Sequence, residues 1–189
     1  MEQNRRRVYT GRVITLDVAD VTLPNGHVAT LEMIEHPGGA AVVAVNHRNE
    51  VCLLRQYRHV AGGWLWEVPA GKLDGKSPDV TARAELAEEA GFTARDWQSL
   101  GEVISSPGVF GEIVHLYLAR ELTPVPPAPE AAEVIEVHWV PLADAMARAL
   151  SGELVDAKSV IALLRAADRL ATVHNQAIPL GRTLGPGEM

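Results

Sequence analysis

The stretch PAGKLDGKSPDVTARAELAEEAGF, residues 69–92, carries the strongest signals for both fold and function in this chain. A glycine-containing loop comes first, and a helix is predicted to follow it. Ser77 is a suitable N-cap, Pro78 suits the first helical position, and Gly91 ends the helical pattern. The stretch therefore predicts a loop-to-helix unit, preceded by a short strand at about 64–68.

Three glutamates lie on one face of the predicted helix. Glu85 and Glu89 are one helical turn apart, and Glu88 flanks them. Carboxylates at this spacing repel one another, and near the C-terminal end they also oppose the helix dipole. A divalent cation compensates such charge, because Mg²⁺ prefers carboxylate oxygen and bridges it to substrate phosphates. Spacing alone leaves equally open a solvated acidic surface with Arg83 nearby.

The same stretch resembles the Nudix box, a loop-helix signature that ends in Arg-Glu-apolar-x-Glu-Glu-x-Gly-apolar. In that family the helix glutamates hold the metal ions that coordinate a diphosphate, and a main-chain carbonyl just before the box glycine often joins them. The matching positions are Ala70, Glu85, Glu88 and Glu89. The resemblance thus implies Mg²⁺ as the cofactor, with Mn²⁺ as a substitute, and makes Glu85 and Glu89 candidate catalytic residues.

Two positions depart from the Nudix pattern. The loop is one residue shorter, so Lys76 or Ser77 falls near the position of the first box glutamate. Ala84 replaces the box arginine, although Arg83 lies one position earlier. That arginine orients a metal-binding carboxylate through a charge-assisted hydrogen bond, so its loss predicts a less rigidly held site. A catalytically weak or silent Nudix-like nucleotide-binding domain is therefore an alternative.

The likeness to the Nudix family extends over about residues 40–170. In this range the chain is similar to the ADP-ribose pyrophosphatase branch of that family. The segments that carry it are Arg55–Arg58, Trp66–Gly71, Ser105–Gly108 and Asp156–Ser159. It implies hydrolysis of the diphosphate of a nucleoside diphosphate sugar, with ADP-ribose giving AMP and ribose 5-phosphate. Other diphosphate sugars such as GDP-mannose remain open.

The resemblance also assigns roles outside the box. Glu133 matches the loop glutamate that activates the attacking water. The implied substrate-binding residues are Arg55, Arg58, Glu67, Pro107 and Glu112. Each acid and arginine has an ordinary alternative as a surface residue or as half of an ion pair.

Residues 70–77 also fit a relaxed P-loop with Ala in place of the first Gly, which would put Lys76 on a nucleotide phosphate. Pro78 weighs against this, because it removes an amide directly after Ser77 where a phosphate cradle needs donors. The run 153–156 is also too short for the second strand of such a site. The P-loop is the less favoured alternative.

Composition narrows the class of protein. A chain of 189 residues holds one main domain, and a net charge of -7 argues against a nucleic-acid partner. The lone Cys52 excludes an intramolecular disulfide and is expected in the core. No apolar stretch approaches the roughly 18 residues of a membrane span, and no secretory pattern begins the chain, so a cytoplasmic location is expected.

Periodicity predicts the elements around the box helix. Alternating residues on both sides of Asn25-Gly26 indicate an antiparallel hairpin. Strands are predicted at about 12–22, 27–35, 40–46, 51–57, 64–68, 96–104, 112–119 and 134–140, and later helices at about 142–151 and 157–170. The proline-rich segment 123–129 is predicted to be an exposed loop.

The resemblance implies an α/β fold of the Nudix type, an α/β/α sandwich with a mixed β-sheet plus a small N-terminal antiparallel sheet. The predicted units are the N-terminal sheet over 1–39, the Nudix hydrolase domain over 40–171, and a loosely ordered tail over 172–189. In relatives the N-terminal sheet exchanges between subunits, so a homodimer with residues 1–39 against the partner is expected.

Overall fold

A computed structural model describes residues 2–176. Over this range the chain forms ten β-strands and three α-helices. The strands are β1 (Glu2–Thr10), β2 (Thr15–Thr22), β3 (Val28–Glu35), β4 (Gly39–Ala44), β5 (Glu50–Arg58), β6 (Gly63–Glu67), β7 (Ala70–Lys72), β8 (Phe92–Ser106), β9 (Phe110–Pro124) and β10 (Ile135–Pro141). The helices are α1 (Pro78–Ala90), α2 (Leu142–Ser151) and α3 (Ala157–Gln176).

Strand β4 forms the middle layer of a sandwich between α1 and α3, and all of its residues are buried. Its even-numbered residues pack in one core cluster with Ala82 and Leu86 of α1. Its odd-numbered residues pack in the other with Ala162 and Leu163 of α3. Because side chains alternate across a strand, one short apolar segment holds both helices. The predicted α/β/α sandwich is confirmed.

The strands form two sheets. In the larger sheet the order is β1-β2-β3-β9-β4-β7, with β8 paired to β9. Both β3 and β4 run parallel to β9, while the other pairs are antiparallel, so the sheet is mixed as predicted. Strands β10, β5 and β6 form the second sheet, which is antiparallel.

The N-terminal strands β1, β2 and β3 form an antiparallel sheet that pairs with β9 only at Ile34 and Phe110. Buried Asp17 on β2 accepts hydrogen bonds from both Arg5 and Arg7 of β1. These two guanidinium groups hold the pKa of Asp17 far below its usual value. Strand β1 is therefore held to its neighbour by side-chain ion pairs as well as by the backbone ladder.

The sequence predicts no strand at β1, because consecutive arginines show no apolar alternation. It also placed β7 in a loop, whereas residues 70–72 pair with β4. Strand β9 runs on to Pro124, into the segment predicted as a loop, because β8 supplies a partner as far as Phe92. Pairing with a distant strand, rather than local composition, sets these boundaries.

The box helix agrees with its prediction. Ser77 takes the N-cap position and Gly91, at φ 74°, the C-cap position. The Ser77 hydroxyl donates to Asp79 and does not accept an amide hydrogen bond. The last helix extends to Gln176, beyond its predicted end at 170, so the first residues expected in the tail are helical, while 177–189 lie outside the described residues.

Cys52 is fully buried on β5, which confirms it as a core residue. Burial, with a smaller effect from the charge of Glu89, raises the pKa of its thiol to about 12. None of the helices within residues 2–176 is both long and apolar enough to span a membrane.

Candidate active site

A cavity of about 470 Å³ lies where β7, the C-terminal half of α1 and the start of α3 meet. Residues far apart in the chain line it, from His36 to Ile161. The predicted site residues that it brings together are Arg58, Ala70, Glu85, Glu88, Glu112 and Glu133. Glu67 and Glu89 are buried behind its wall, at 2% and 3% exposure.

Gly71 makes room for the carboxylate of Glu85. A Cβ atom at Gly71 would lie 1.8 Å from Oε1 of Glu85, so a side chain there would displace the carboxylate. This contact explains why the loop has glycine at this position. It also argues against the P-loop alternative, because an acid lies against the backbone where a phosphate would need donors.

Glu89 is buried with one oxygen satisfied and one not. Its Oε2 accepts a hydrogen bond of 2.8 Å from the amide of Ala70. Its Oε1 has no hydrogen-bond partner among the described residues. Buried polar atoms are rarely left unpaired, because the lost hydration costs free energy. The free oxygen is therefore a position where a cation fits.

The backbone of Ala70 is oriented toward Glu89 by the strand register. Ala70 is opposite Ala41, and the flanking Pro69 carbonyl accepts a hydrogen bond of 2.9 Å from Val42. In an antiparallel ladder hydrogen-bonded and non-hydrogen-bonded pairs alternate, which places Ala70 at a non-hydrogen-bonded position. Its amide and carbonyl thus point away from β4, on the side where its amide meets Glu89.

The three acids of α1 lie in a strongly negative environment. Burial raises the pKa of Glu85 to about 7, with further contributions from the charges of Glu88 and Glu133. Burial likewise raises the pKa of Glu89 to about 8, reinforced by Glu85 and Glu133 and opposed by the Ala70 amide. Clustered carboxylate oxygens and a nearby carbonyl are the donors that hard divalent cations prefer.

The side chains of these acids are not already arranged as a complete metal-binding site. Within the described part of the chain, no three His, Cys, Asp or Glu side chains are gathered closely enough to hold a metal ion. The donor set and the unpaired Glu89 oxygen nevertheless fit a divalent cation chemically.

Glu67 forms the most complete ion-pair system near the cavity. Arg58 donates to its two oxygens at 2.8 and 3.0 Å, and Nζ of Lys158 lies 2.6 Å from Oε2. Burial acts to raise the pKa of Glu67, but the two cations outweigh it and hold the pKa below its usual value. The structure thus places this acid among protein cations rather than at the cavity surface.

Arg55 and Pro107 do not line the cavity in this chain. Arg55 lies over the ring of Trp64 at 5.1 Å and pairs with Glu136. Pro107 lies in the turn between β8 and β9, close in sequence to Ser105, which does line the cavity. Their assignment to substrate binding stays a prediction.

The remaining predicted acids face the cavity from two other elements. Oε1 of Glu112 lies 3.3 Å from Nδ1 of His36. Oε2 of Glu133 accepts a hydrogen bond of 2.8 Å from the amide of Glu130, which orients this carboxylate in the loop before β10.

Arg83 does not replace the missing box arginine. Its guanidinium lies 4.6 Å from the ring centre of Trp97. None of the hydrogen bonds or ion pairs found in residues 2–176 joins Arg83 to a glutamate. Glu89 is therefore oriented by the amide of Ala70, and Glu85 lies against Gly71, while Ala84 provides no guanidinium partner for either.

Lys158, His36 and Glu130 also line the cavity, although the sequence predicts no role for them. The likeness of Asp156–Ser159 to a family segment was a usable signal for Lys158. His36 and Glu130 carry no comparable sequence signal, because only the folded chain brings them to the cavity.

The chain matches a family model, two named relatives and a solved structure. The family model described as NUDIX domain matches residues 35–163. An ADP-ribose pyrophosphatase of Bacillus subtilis is 39% identical over 84% of this chain and 88% of its own length. An ADP-ribose pyrophosphatase of Mycobacterium tuberculosis is 37% identical over 92% of this chain and 85% of its own. A crystal structure titled as an ADP compounds hydrolase superposes with a TM-score of 0.79 at 25% identity, covering 92% and 95% of the two chains.

The raised pKa values predict how the metal-free protein responds to pH. A carboxyl whose folded pKa exceeds its usual 4.5 stabilises the fold below that pH, and this stabilisation is lost as pH rises through about 7 for Glu85 and about 8 for Glu89. The free energy of unfolding in EDTA should therefore fall between about pH 4.5 and about pH 8. The Glu89→Gln variant should lose less stability over this range, because it lacks one of the two carboxyls whose pKa is raised.

Chemical denaturation at the two pH values measures this difference. Glu121→Gln, on the exposed part of β9, is the matched control and should keep the wild-type pH dependence. A Glu89→Gln protein that loses stability with pH as steeply as wild type would contradict the raised pKa of Glu89.

Proposed function

Since the chain belongs to the Nudix family, we propose that it hydrolyses the diphosphate bond of a nucleoside diphosphate sugar, with ADP-ribose giving AMP and ribose 5-phosphate. The observation that carries this proposal is the buried, unpaired Oε1 of Glu89 beside Glu85 at a cavity wall. The relatives named as ADP-ribose pyrophosphatases support the choice of substrate. Water attacks one phosphorus, and the bridging P–O bond breaks.

Nudix hydrolases generally use divalent metal ions, and the proposed cofactor here is Mg²⁺, with Mn²⁺ as a substitute. Glu85, Glu88, Glu89 and the carbonyl of Ala70 would hold it. When bound, it neutralises charge on the diphosphate and polarises a phosphoryl oxygen. The pKa values of Glu85 and Glu89 would fall as the positive charge arrives.

Arg58 is proposed to bind a phosphate oxygen of the substrate. It lines the cavity, and its Nε and Nη2 are held by Glu67, which fixes the plane of the guanidinium. A guanidinium held in this way presents its remaining donors in a set direction. Glu67 therefore acts on substrate binding through Arg58.

Glu133 is proposed as the general base. Its carboxylate lines the cavity opposite α1, and the Glu130 amide holds one of its oxygens. The other oxygen can accept a hydrogen bond from water and then take its proton as the water attacks. Glu112 and His36 are proposed to bind the substrate from the β9 side, and Arg55 and Pro107 to act from the cavity margin.

We also propose that the protein is a homodimer through residues 1–39. All nine residues of β1 are exposed in the single chain. Val8 and Tyr9 on this strand are 48% and 55% exposed. An edge strand with exposed apolar side chains is a surface that proteins usually cover with a partner.

Purified protein should release AMP from ADP-ribose with Mg²⁺ or Mn²⁺ and lose this activity in EDTA. Product analysis over a panel with GDP-mannose and other diphosphate sugars identifies the preferred substrate.

Glu89→Gln should lower kcat by at least about 100-fold with the fold retained, because it removes a charged ligand. Glu121→Gln should keep wild-type kcat. A wild-type protein that binds nucleotide and cleaves no diphosphate would be the silent binding domain that Ala84 leaves open.

Glu133→Gln should lower kcat by about 10²- to 10⁴-fold, the usual contribution of a general base, and change KM little. Glu130→Gln is the matched control, since it lies in the same loop and lines the same cavity. Steady-state kinetics at saturating Mg²⁺ compares the two. Loss of kcat in Glu130→Gln with normal turnover in Glu133→Gln would move the base to Glu130.

Light scattering after size exclusion should give a mass of twice the 20.4 kDa of the chain. Tyr9→Asp should shift the protein toward a monomer, because it places a charge in the proposed contact. Val60→Asp introduces the same charge at a fully exposed apolar residue outside that surface and should leave the mass unchanged. A monomeric wild-type protein would refute the dimer.

A further inference from the structure

The turn Asp156–Ser159 at the start of α3 is hydrogen-bonded to the segment Glu67–Ala70, which leads into the cavity wall. We propose that Ser159 and Asp156 are positioning residues that set the place of the Ala70 carbonyl, and with it Glu89, for cation binding. The inference rests on the proposed function and adds Ser159, which is fully buried, and Asp156, which lines the cavity, as residues that act through the segment Glu67–Ala70.

The hydroxyl of Ser159 is hydrogen-bonded to both segments. Its side chain is fully buried, and its Oγ accepts a hydrogen bond of 2.8 Å from the amide of Val68. Since an amide can only donate, the hydroxyl proton must be directed elsewhere. It is donated to Oδ2 of Asp156, which therefore fixes the rotation of the hydroxyl.

Asp156 does more than cap its helix. It accepts the Ser159 amide at 3.1 Å, as an ordinary N-cap does. The same oxygen also lies 2.9 Å from Nζ of Lys158, which reaches on to Glu67 at 2.6 Å. The turn thus contacts neighbouring residues of one short segment twice, through the Glu67 side chain and through the Val68 backbone.

That segment is held at each of its residues. Glu67 is bound by cations and Val68 by Ser159. The Pro69 carbonyl is bound by β4, and the Ala70 amide by Glu89. Proline has no amide to offer, so the Val68 amide is the last backbone donor before Ala70. The Val68 amide and the Pro69 carbonyl are therefore the two backbone contacts that position Ala70 and, through its amide, Glu89.

The test compares Ser159→Ala with wild type by two independent measurements. Binding of Mn²⁺ alone, followed by electron paramagnetic resonance of the free ion, should weaken by about 10-fold, as is usual when a supporting hydrogen bond behind metal ligands is lost. The Mg²⁺ concentration for half-maximal ADP-ribose hydrolysis should rise by a similar factor. At saturating Mg²⁺, KM for ADP-ribose should stay within about twofold, since no substrate contact is removed.

Ser151→Ala is the matched control, because this exposed hydroxyl only bonds the end of α2. Ser159→Cys fills the same space with a weaker acceptor, so it decides the question if Ser159→Ala does not fold, as judged by thermal unfolding. Wild-type Mn²⁺ affinity in whichever Ser159 variant is folded would overturn the inference and leave the proposed function standing. A wild-type protein that neither binds Mn²⁺ nor hydrolyses a diphosphate would overturn both.

Discussion

The burial of two carboxylates of α1 against the backbone of β7 is the constraint on which the site depends. Glu85 lies against Gly71, and Glu89 meets the amide of Ala70. Taking acids out of water disfavours their charged form, which is why the pKa of Glu85 rises to about 7 and that of Glu89 to about 8. Only one of the two Glu89 oxygens is satisfied by the protein. The fold leaves the other oxygen of Glu89 without a hydrogen-bond partner behind the cavity wall.

A second buried acid nearby, Glu67, has both carboxylate oxygens paired with cations, in contrast to Glu89. Glu67 is as buried as Glu89, yet Arg58 and Lys158 hold its pKa below the usual value. A completely paired buried carboxylate is a fixed anchor, whereas an incompletely paired one retains binding capacity. The two acids lie at either end of a four-residue segment, Glu67–Ala70, which therefore joins a rigid anchor to a proposed cation site.

The sandwich explains how such a segment is kept in place. β4 packs against α1 on one face and α3 on the other, and it pairs with β7 along its edge. The acids of α1 and the turn that begins α3 are thus positioned by one strand. In the proposed arrangement, the hydrogen bond between Val68 and Ser159 of α3 and the hydrogen bond between β4 and the Pro69 carbonyl together position Ala70 beside Glu89 of α1.

Local sequence determined the box helix, because capping residues and i,i+4 spacing act over one or two turns and need no distant partner. The placement of Glu85, Glu88 and Glu89 on one face follows from that spacing, and Cys52 in the core follows from its apolar run. The strand β1, the pairing of Glu67 with Lys158, and the approach of His36 to the cavity were decided only by tertiary structure. Each of these depends on contacts between residues far apart in the chain, and such contacts leave no local period in a single sequence.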